Sequence, residues 1–215
     1  TFAYCGSLTD IAIPVSVVSI ESGAFDDCTN LQRVLYGGSY RDRLQMEIKS
    51  NNDRLLRANW DYAGGINGTC GPSLTWNLDS EGTLTISGCY KMFSFTIGSY
   101  APWYTFAEQI KKVVIGKDVE SIGDYAFFNH CMTEVIFEDP QHSALKTIGS
   151  NAFCGCLNLE SITLPDGLQS LGDNSFNTCV SLKEIVIPSA ISKINDNTFA
   201  YCGSLTDIAI PVSVV

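Results

Sequence analysis

Phenylalanine, cysteine, leucine, isoleucine and proline return along this chain in one fixed order. Phe153, Cys156, Leu159, Ile162, Leu164 and Pro165 set the pattern, and Phe176, Cys179, Leu182, Ile185, Ile187 and Pro188 repeat it. Phe199, Cys202, Leu205, Ile208, Ile210 and Pro211 follow it again, as do Phe2, Cys5, Leu8, Ile11, Ile13 and Pro14. Phe2 to Phe25, Phe153 to Phe176 and Phe176 to Phe199 are each 23 residues apart. Phe25, Cys28, Leu31, Val34 and Tyr36 form a partial copy, and Phe127, Met132, Val135 and Phe137 another, one residue short. A fixed period in the twenties predicts a solenoid. The alternating Ile-x-Ile pair predicts a short strand with its Ile side chains inward. Proline then ends the strand, because it has no amide to give the ladder. One such turn cannot bury its own apolar face, whereas stacked turns share a continuous core. The predicted fold is therefore mainly β, with one short parallel strand per turn of about 23 residues.

The stretch "NAFCGCLNLESITLPDGLQSLGDNSFNTCVSLKEIVIPSAISKINDNTFAYC" resembles BspA-like leucine-rich repeats, the 23-residue class found in bacterial surface proteins and some protist surface proteins. The resemblance covers residues 1–36 and about 110–215. It implies a leucine-rich-repeat solenoid in a fragment of a tandem array, at the cell surface or outside the cell. "VLYGGSYRDRLQMEIKSNNDRLLRANWDY" is similar to segments that close such arrays, and "GTCGPSLTWNLDSEGTLTISG" with "PWY" to a β-hairpin module that opens a new one. The expected organisation is thus two last turns over 1–40 and a closing cap over 41–62. A Gly-rich linker over 63–68 leads to a hairpin capping module over 69–109, and a second array over 110–215 stops mid-repeat. In the cap, Leu44, Met46, Ile48, Leu55 and Leu56 are expected to cover the end of the preceding stack, with a basic docking site as the alternative. In the hairpin, Leu74, Trp76, Leu78, Leu84 and Ile86 alternate about the turn "DSEG" and face one side.

The net charge of −10 argues against nucleic acid and anionic membrane as partners. No apolar run approaches the ~20 residues of a membrane helix, so no membrane insertion is expected within this fragment. Cys5, Cys28, Cys156, Cys179 and Cys202 share one column of the repeat, and are read as small hydrophobes filling a tight interior. Cys70–Cys89 and Cys131–Cys154 are candidates for disulfides. No metal site is expected, since Cys154 and Cys156 lack a second ligand pair. His130 sits near the cysteine column and reads as packed, while His142 reads as solvated. With two histidines there is little from which to build a hydrolase triad or a zinc hydrolase, and no phosphate-binding glycine loop is present. The expectation is a non-enzyme with no cofactor.

The best candidate for function is the outward face of the repeat strands. The position before the first Ile reads Lys112, Glu134, Ser161, Glu184 and Asp207. The position between the two reads Val114, Ile136, Thr163, Val186 and Ala209, apolar for the most part although it faces outward. Such a ribbon is either β-propensity alone or a surface for a protein partner. Adhesion or protein binding is the leading expectation, and carbohydrate binding by Trp76, Trp103 and Tyr104 a minor one. A further observation favours self-association. Thr1–Val18 and Thr198–Val215 agree at all eighteen positions, which ordinary repeat similarity does not produce. It fits a recently duplicated unit of 197 residues, from Thr1 to Thr198, in a fibre, stalk or sheath. Val215 would then be followed by "SIESGAFDDC", as Val18 is.

Overall fold

The pattern of inward Ile and outward polar residues becomes two parallel ladders, one in each of two units. The computed structural model describes residues 1–214, as two compact units, Thr1–Gly68 and the residues from Thr69 on. In the first, strands β1 (Asp10–Ile13), β3 (Arg33–Tyr36) and β5 (Asn59–Tyr62) form a parallel sheet. Short strands β2 (Ser19–Ile20) and β4 (Glu47–Ile48) pair separately. Helices α1 (Tyr40–Gln45) and α2 (Asp53–Arg57) close the unit. Strand β6 (Ile66–Thr69) lies where one unit gives way to the next.

The second unit opens on an antiparallel hairpin, β7 (Leu74–Leu78) and β8 (Thr83–Gly88). Strand β8 then pairs in parallel with β10 (Lys112–Ile115), which continues into β12 (Glu134–Phe137), β14 (Ser161–Ile162), β16 (Glu184–Val186) and β17 (Asp207–Ala209). A second row, β9 (Tyr90–Lys91), β11 (Val119–Ile122), β13 (Thr147–Ile148) and β15 (Ser170–Leu171), runs beside it. Each of these turns thus carries a second short strand beside the one expected per turn. Strands of two residues are too short to carry an alternation.

The phenylalanine corner is built from backbone as much as from side chains. Residues two before and two after each Phe are left-handed, with φ of 55° and 75° about Phe153 and 56° and 60° about Phe176. The N–H groups of three alternate residues thereby point to the following turn. Asn151, Phe153 and Gly155 donate to the carbonyls of Asp173, Ser175 and Asn177 at 2.8–2.9 Å. Asn174, Phe176 and Thr178 donate in the same way to Asp196, Thr198 and Ala200. The rings stack with the backbone: Phe127, Phe153, Phe176 and Phe199 follow one another at 5.2, 5.2 and 5.7 Å.

The cysteine column joins this ladder. Cys156, Cys179 and Cys202 each donate Sγ–H to the carbonyl of the preceding turn's Phe, at 3.1–3.2 Å, and Cys28 does so to Phe2. Cys28, Cys156 and Cys179 are buried, whereas Cys5 is exposed and Cys202 half-buried. Burial pushes the Cys156 and Cys179 thiols well above their ordinary range, so they remain protonated and inert.

All nine cysteines are free thiols, which corrects the two expected disulfides. Cys70 is buried and Cys89 exposed, with Gly88 turning the chain beside it at φ 106°. Cys131 and Cys154 are likewise unbonded; it is Asn129, not Cys131, whose amide meets the Cys154 carbonyl across the turns.

A ladder that points one way leaves carbonyls unfilled at its start and amides unfilled at its end. At the first turn of the second unit three carbonyls are filled, two by the cap and one by the turn's own His130. Phe95 N–H donates to Asp124 at 2.9 Å, the Trp103 indole N–H to Ala126 at 2.8 Å and His130 Nδ1–H to Phe128 at 3.1 Å. The Trp103 ring also stacks on Phe127 at 5.6 Å, so it serves as the first rung of the aromatic ladder. After the last turn of the first unit the roles reverse. Gly23 N–H donates to the Ser50 carbonyl and Phe25 N–H to Asn52 Oδ1, both at 2.9 Å. Buried Asn52 returns its amide to the carbonyls of Glu21 and Lys49 at 2.9 Å. Of the residues expected to cover this end, Leu55 and Met46 are buried but Leu44 and Leu56 are exposed. Trp60, Tyr62 and Tyr36 take their place, with the Arg43 guanidinium 4.5 Å over the Trp60 ring. Rings cover the apolar end with fewer residues than the short helices could present.

Candidate functional site

The candidate face lies on the outer side of the sheet that runs from β7 to β17. Its geometry follows from register. Lys112, Glu134, Ser161, Glu184 and Asp207 stand side by side across five neighbouring strands. Val114 aligns with Ile136, and Val186 with Ala209. Thr163 lies just beyond the end of β14, so the apolar row is broken there. Val114 and Ile136 are half-buried, and Val186 is 68% exposed. Their inward neighbours Val113, Val135 and Ile185 are buried.

The face is wider than the repeats alone imply. Thr83 aligns with Lys112 and Thr85 with Val114, so the hairpin extends both rows. Asn77, opposite Thr85, adds one more strand. The outward positions of "LTWNL" and "TLTIS" were the signal for this, but the hairpin reads from sequence only as a cap. From β7 to β17 the face spans six gaps of about 4.8 Å, or about 29 Å.

Charge is graded along it. Lys112 Nζ lies 3.3 Å from Glu134 Oε2, and Lys183 Nζ lies 2.7 Å from Glu160 Oε2 beside the row. Its hydrogen bond from Lys183 holds the Glu160 carboxyl below its ordinary range. Among the described residues no cation pairs with Glu184 or Asp207, so the far end is acidic. The first unit carries the same kind of face, with Arg33 between Asp10 at 3.5 Å and Asp61 at 3.3 Å.

Other candidate groups are placed elsewhere. Trp76 and Trp103 are buried, which removes them as a sugar platform; their rings meet edge to face at 5.9 Å inside the cap. His142 is exposed, with Nδ1 3.0 Å from Asp139. His130 occupies the cysteine position of its turn, three residues after Phe127, and is buried with no partner for Nε2. Burial pushes its pKa down from 6.5 to about 4. The unfolded chain then binds the proton more tightly between those values. Stability should fall as pH drops from 6.5 towards 4 and level off below, by about 3 kcal/mol in total. His130→Cys, which restores the column residue, should remove that slope in urea titrations at stepped pH. Among the described residues no three His, Cys, Asp or Glu side chains are placed to hold a metal, and no helix is long and apolar enough to cross a membrane.

Residues 1–42 and 96–215 match the BspA type leucine rich repeat region, in six copies. A leucine rich cell surface protein from Faecalibacterium prausnitzii A2-165 is similar in structure, with a TM-score of 0.50 and 20% identity over 97% of this chain and 61% of that one. A leucine-rich repeat protein from Eubacterium ventriosum ATCC 27560 has a TM-score of 0.54 and 25% identity over 67% of this chain and 43% of its own. The chain thus spans less than two thirds of either protein. Comparison with curated proteins gives no match. With the repeat spacing, the parallel ladder and the phenylalanine corner in place, the chain belongs to the BspA-type leucine-rich repeat family.

Proposed function

We propose that this is a non-catalytic cell-surface or secreted protein that binds a protein partner through the open face of its second unit, in adhesion. The observation that carries the reading is two registered pairs of outward apolar side chains, Val114 with Ile136 and Val186 with Ala209, beside a row that is acidic at Glu134, Glu184 and Asp207. Exposed apolar groups clustered beside charged ones mark interaction surfaces. The graded charge favours a partner with basic groups opposite Glu184 and Asp207. Support for a surface location comes from the similar protein described as a cell surface protein. Support for a non-catalytic role comes from the inert thiols and the buried His130. In this reading 1–40 and 110–215 are repeat turns, 41–62 closes one array, 63–68 links, and 69–109 opens the next.

The test is adhesion of beads coated with the chain to host cells and matrix proteins. Ile136→Lys with Val186→Lys should cut adhesion about tenfold, as loss of a central apolar anchor costs more than 1 kcal/mol. The melting temperature should hold, because both side chains point away from the core. Unchanged adhesion would remove this face as the site.

A second reading is self-association into a fibre or stalk. The eighteen identical residues at Thr1–Val18 and Thr198–Val215 favour it. Filaments of the wild-type chain in electron micrographs would support it, and a monodisperse monomer at every concentration would oppose it.

A further inference from the structure

We propose that the second unit holds a further site, a groove beside the phenylalanine corner that binds a neutral oligosaccharide. It lies off the strand face and is independent of the protein-binding reading given for that face.

The groove is two clefts that run into one another. The first, of about 340 Å³, lies between the cap and the first turn, with Tyr104, Glu108, Gln109 and Asn129 in its walls. The second, of about 450 Å³, shares Asn129 and continues past Leu157 and Asn158 of the second turn to Thr178 of the third. Each cleft has the volume of a small-molecule site. From the cap to the third turn the groove crosses three gaps of about 4.8 Å, or about 14 Å. It is interior to the array, since the cap precedes it and the turn of Phe199 follows it.

The lining indicates what fills it. Of the three rings read from sequence as a sugar platform, Tyr104 alone is not buried. It is held rigid: the Tyr100 ring stacks on it at 4.0 Å, with planes 10° apart, and the His130 ring meets it at 5.8 Å near the perpendicular. A ring already fixed in place loses little freedom when a ligand packs on it. Around it stand polar groups that the fold leaves unused. Among the described residues, the Glu108, Gln109 and Asn129 side chains make no hydrogen bond or ion pair, and Asn158 uses only its amide, on the Cys131 carbonyl at 3.3 Å. Asn129 has a place made for it. Its carboxamide lies over Gly155, at φ 75°, where a Cβ would collide with Asn129 Oδ1. Carboxamides both donate and accept, as sugar hydroxyls do. Tyr104 and the exposed Leu157 suit the C–H faces of a pyranose, and the amides suit its hydroxyl rim. Charge narrows the class. Glu108 is the one carboxylate of the lining, and no Lys or Arg takes part among the described residues. On a chain of net charge −10 that lining repels phosphates, sulfates and uronic acids. An extended peptide would want a free sheet edge, and the groove lies off the strands.

The test is titration calorimetry of the whole chain with mannotriose, maltotriose and triacetylchitotriose, and with trigalacturonic acid as the anionic comparison. At least one neutral sugar should bind with a Kd of about millimolar or tighter, and trigalacturonic acid should not bind. Glu108→Ala with Gln109→Ala should weaken the neutral sugar about tenfold. Both side chains are exposed, so the melting temperature should hold. Tyr104→Ala should weaken binding at least as much. Ile136→Lys with Val186→Lys should leave the sugar affinity as it is, even where it abolishes adhesion to protein, which separates this groove from the strand face. Three results overturn the proposal: no binding of any neutral sugar, tighter binding of the anionic one, or an affinity unchanged by the Glu108 and Gln109 substitutions. Loss of sugar binding in the Ile136 and Val186 variant would also overturn it, by moving the site to the strand face.

Discussion

Replacing Trp103 by alanine should destabilise the second unit by about 5 kcal/mol, the largest single effect expected in this chain. Trp103 is wholly buried and touches Phe127, Trp76 and Phe95 at centroid distances of 5.6–5.9 Å. Removing the ring opens a cavity at the foot of the aromatic ladder, and removing the indole N–H orphans the Ala126 carbonyl. Trp103→Phe separates the two contributions. It keeps a ring against Phe127 and should cost about 2 kcal/mol, from the lost hydrogen bond and the smaller ring. Alkylation of buried Cys156 and Cys179 in a urea series reports this unit separately, because their thiols react only when it opens. Equal cost for both substitutions would mean that the indole N–H, not the stacking, dominates.

Asn52→Ala should destabilise the first unit by about 3 kcal/mol, although the side chain is small. Asn52 is buried and makes three hydrogen bonds of 2.9 Å, one accepted from Phe25 and two donated to Glu21 and Lys49. Alanine leaves the buried Phe25 amide and the Lys49 carbonyl without partners and takes one of two donors from the Glu21 carbonyl, which keeps the Ala24 amide; each orphan costs about 1 kcal/mol or more. The Phe25 amide matters most, since it is the last rung of a ladder in which every earlier amide meets the next turn. Asn52→Asp keeps the acceptor but loses both donors and places a carboxylate beside carbonyl oxygens. It should be no better than alanine. Exposure of Cys28 to alkylation in urea reads the outcome, and a midpoint unchanged from wild type would show that the ladder ends elsewhere.

Both predictions concern residues whose weight was not legible in the sequence. Trp103 reads there as one aromatic among several in a cap, and Asn52 as one polar residue in "SNND". Their importance comes from what lies against them in space, a carbonyl 23 residues later and an amide 27 residues earlier. His130 was legible in part. It falls three residues after Phe127, the spacing of the cysteine column, and the shift of Met132 by one residue hides that match. The outward rows of the candidate face were legible because period-two alternation survives even in three-residue strands. Their extension by Thr83, Thr85 and Asn77 was not, because nothing local says that β8 joins β10.

By itself the sequence determined that this chain stacks. A turn with Phe, Cys, Leu and two Ile at fixed spacing has one apolar face and no means of covering it alone, so neighbouring turns must cover it. The same spacing determined which residues point in and which point out. Tertiary structure alone decided which groups close the first stack and open the second. The backbone at the phenylalanine corner points its amides in one direction, so the two ends of a stack need opposite chemistry. An indole donor meets the first carbonyls and a carboxamide acceptor meets the last amide. That pairing depends on position in space and on the handedness of the corner, neither of which a repeat pattern encodes.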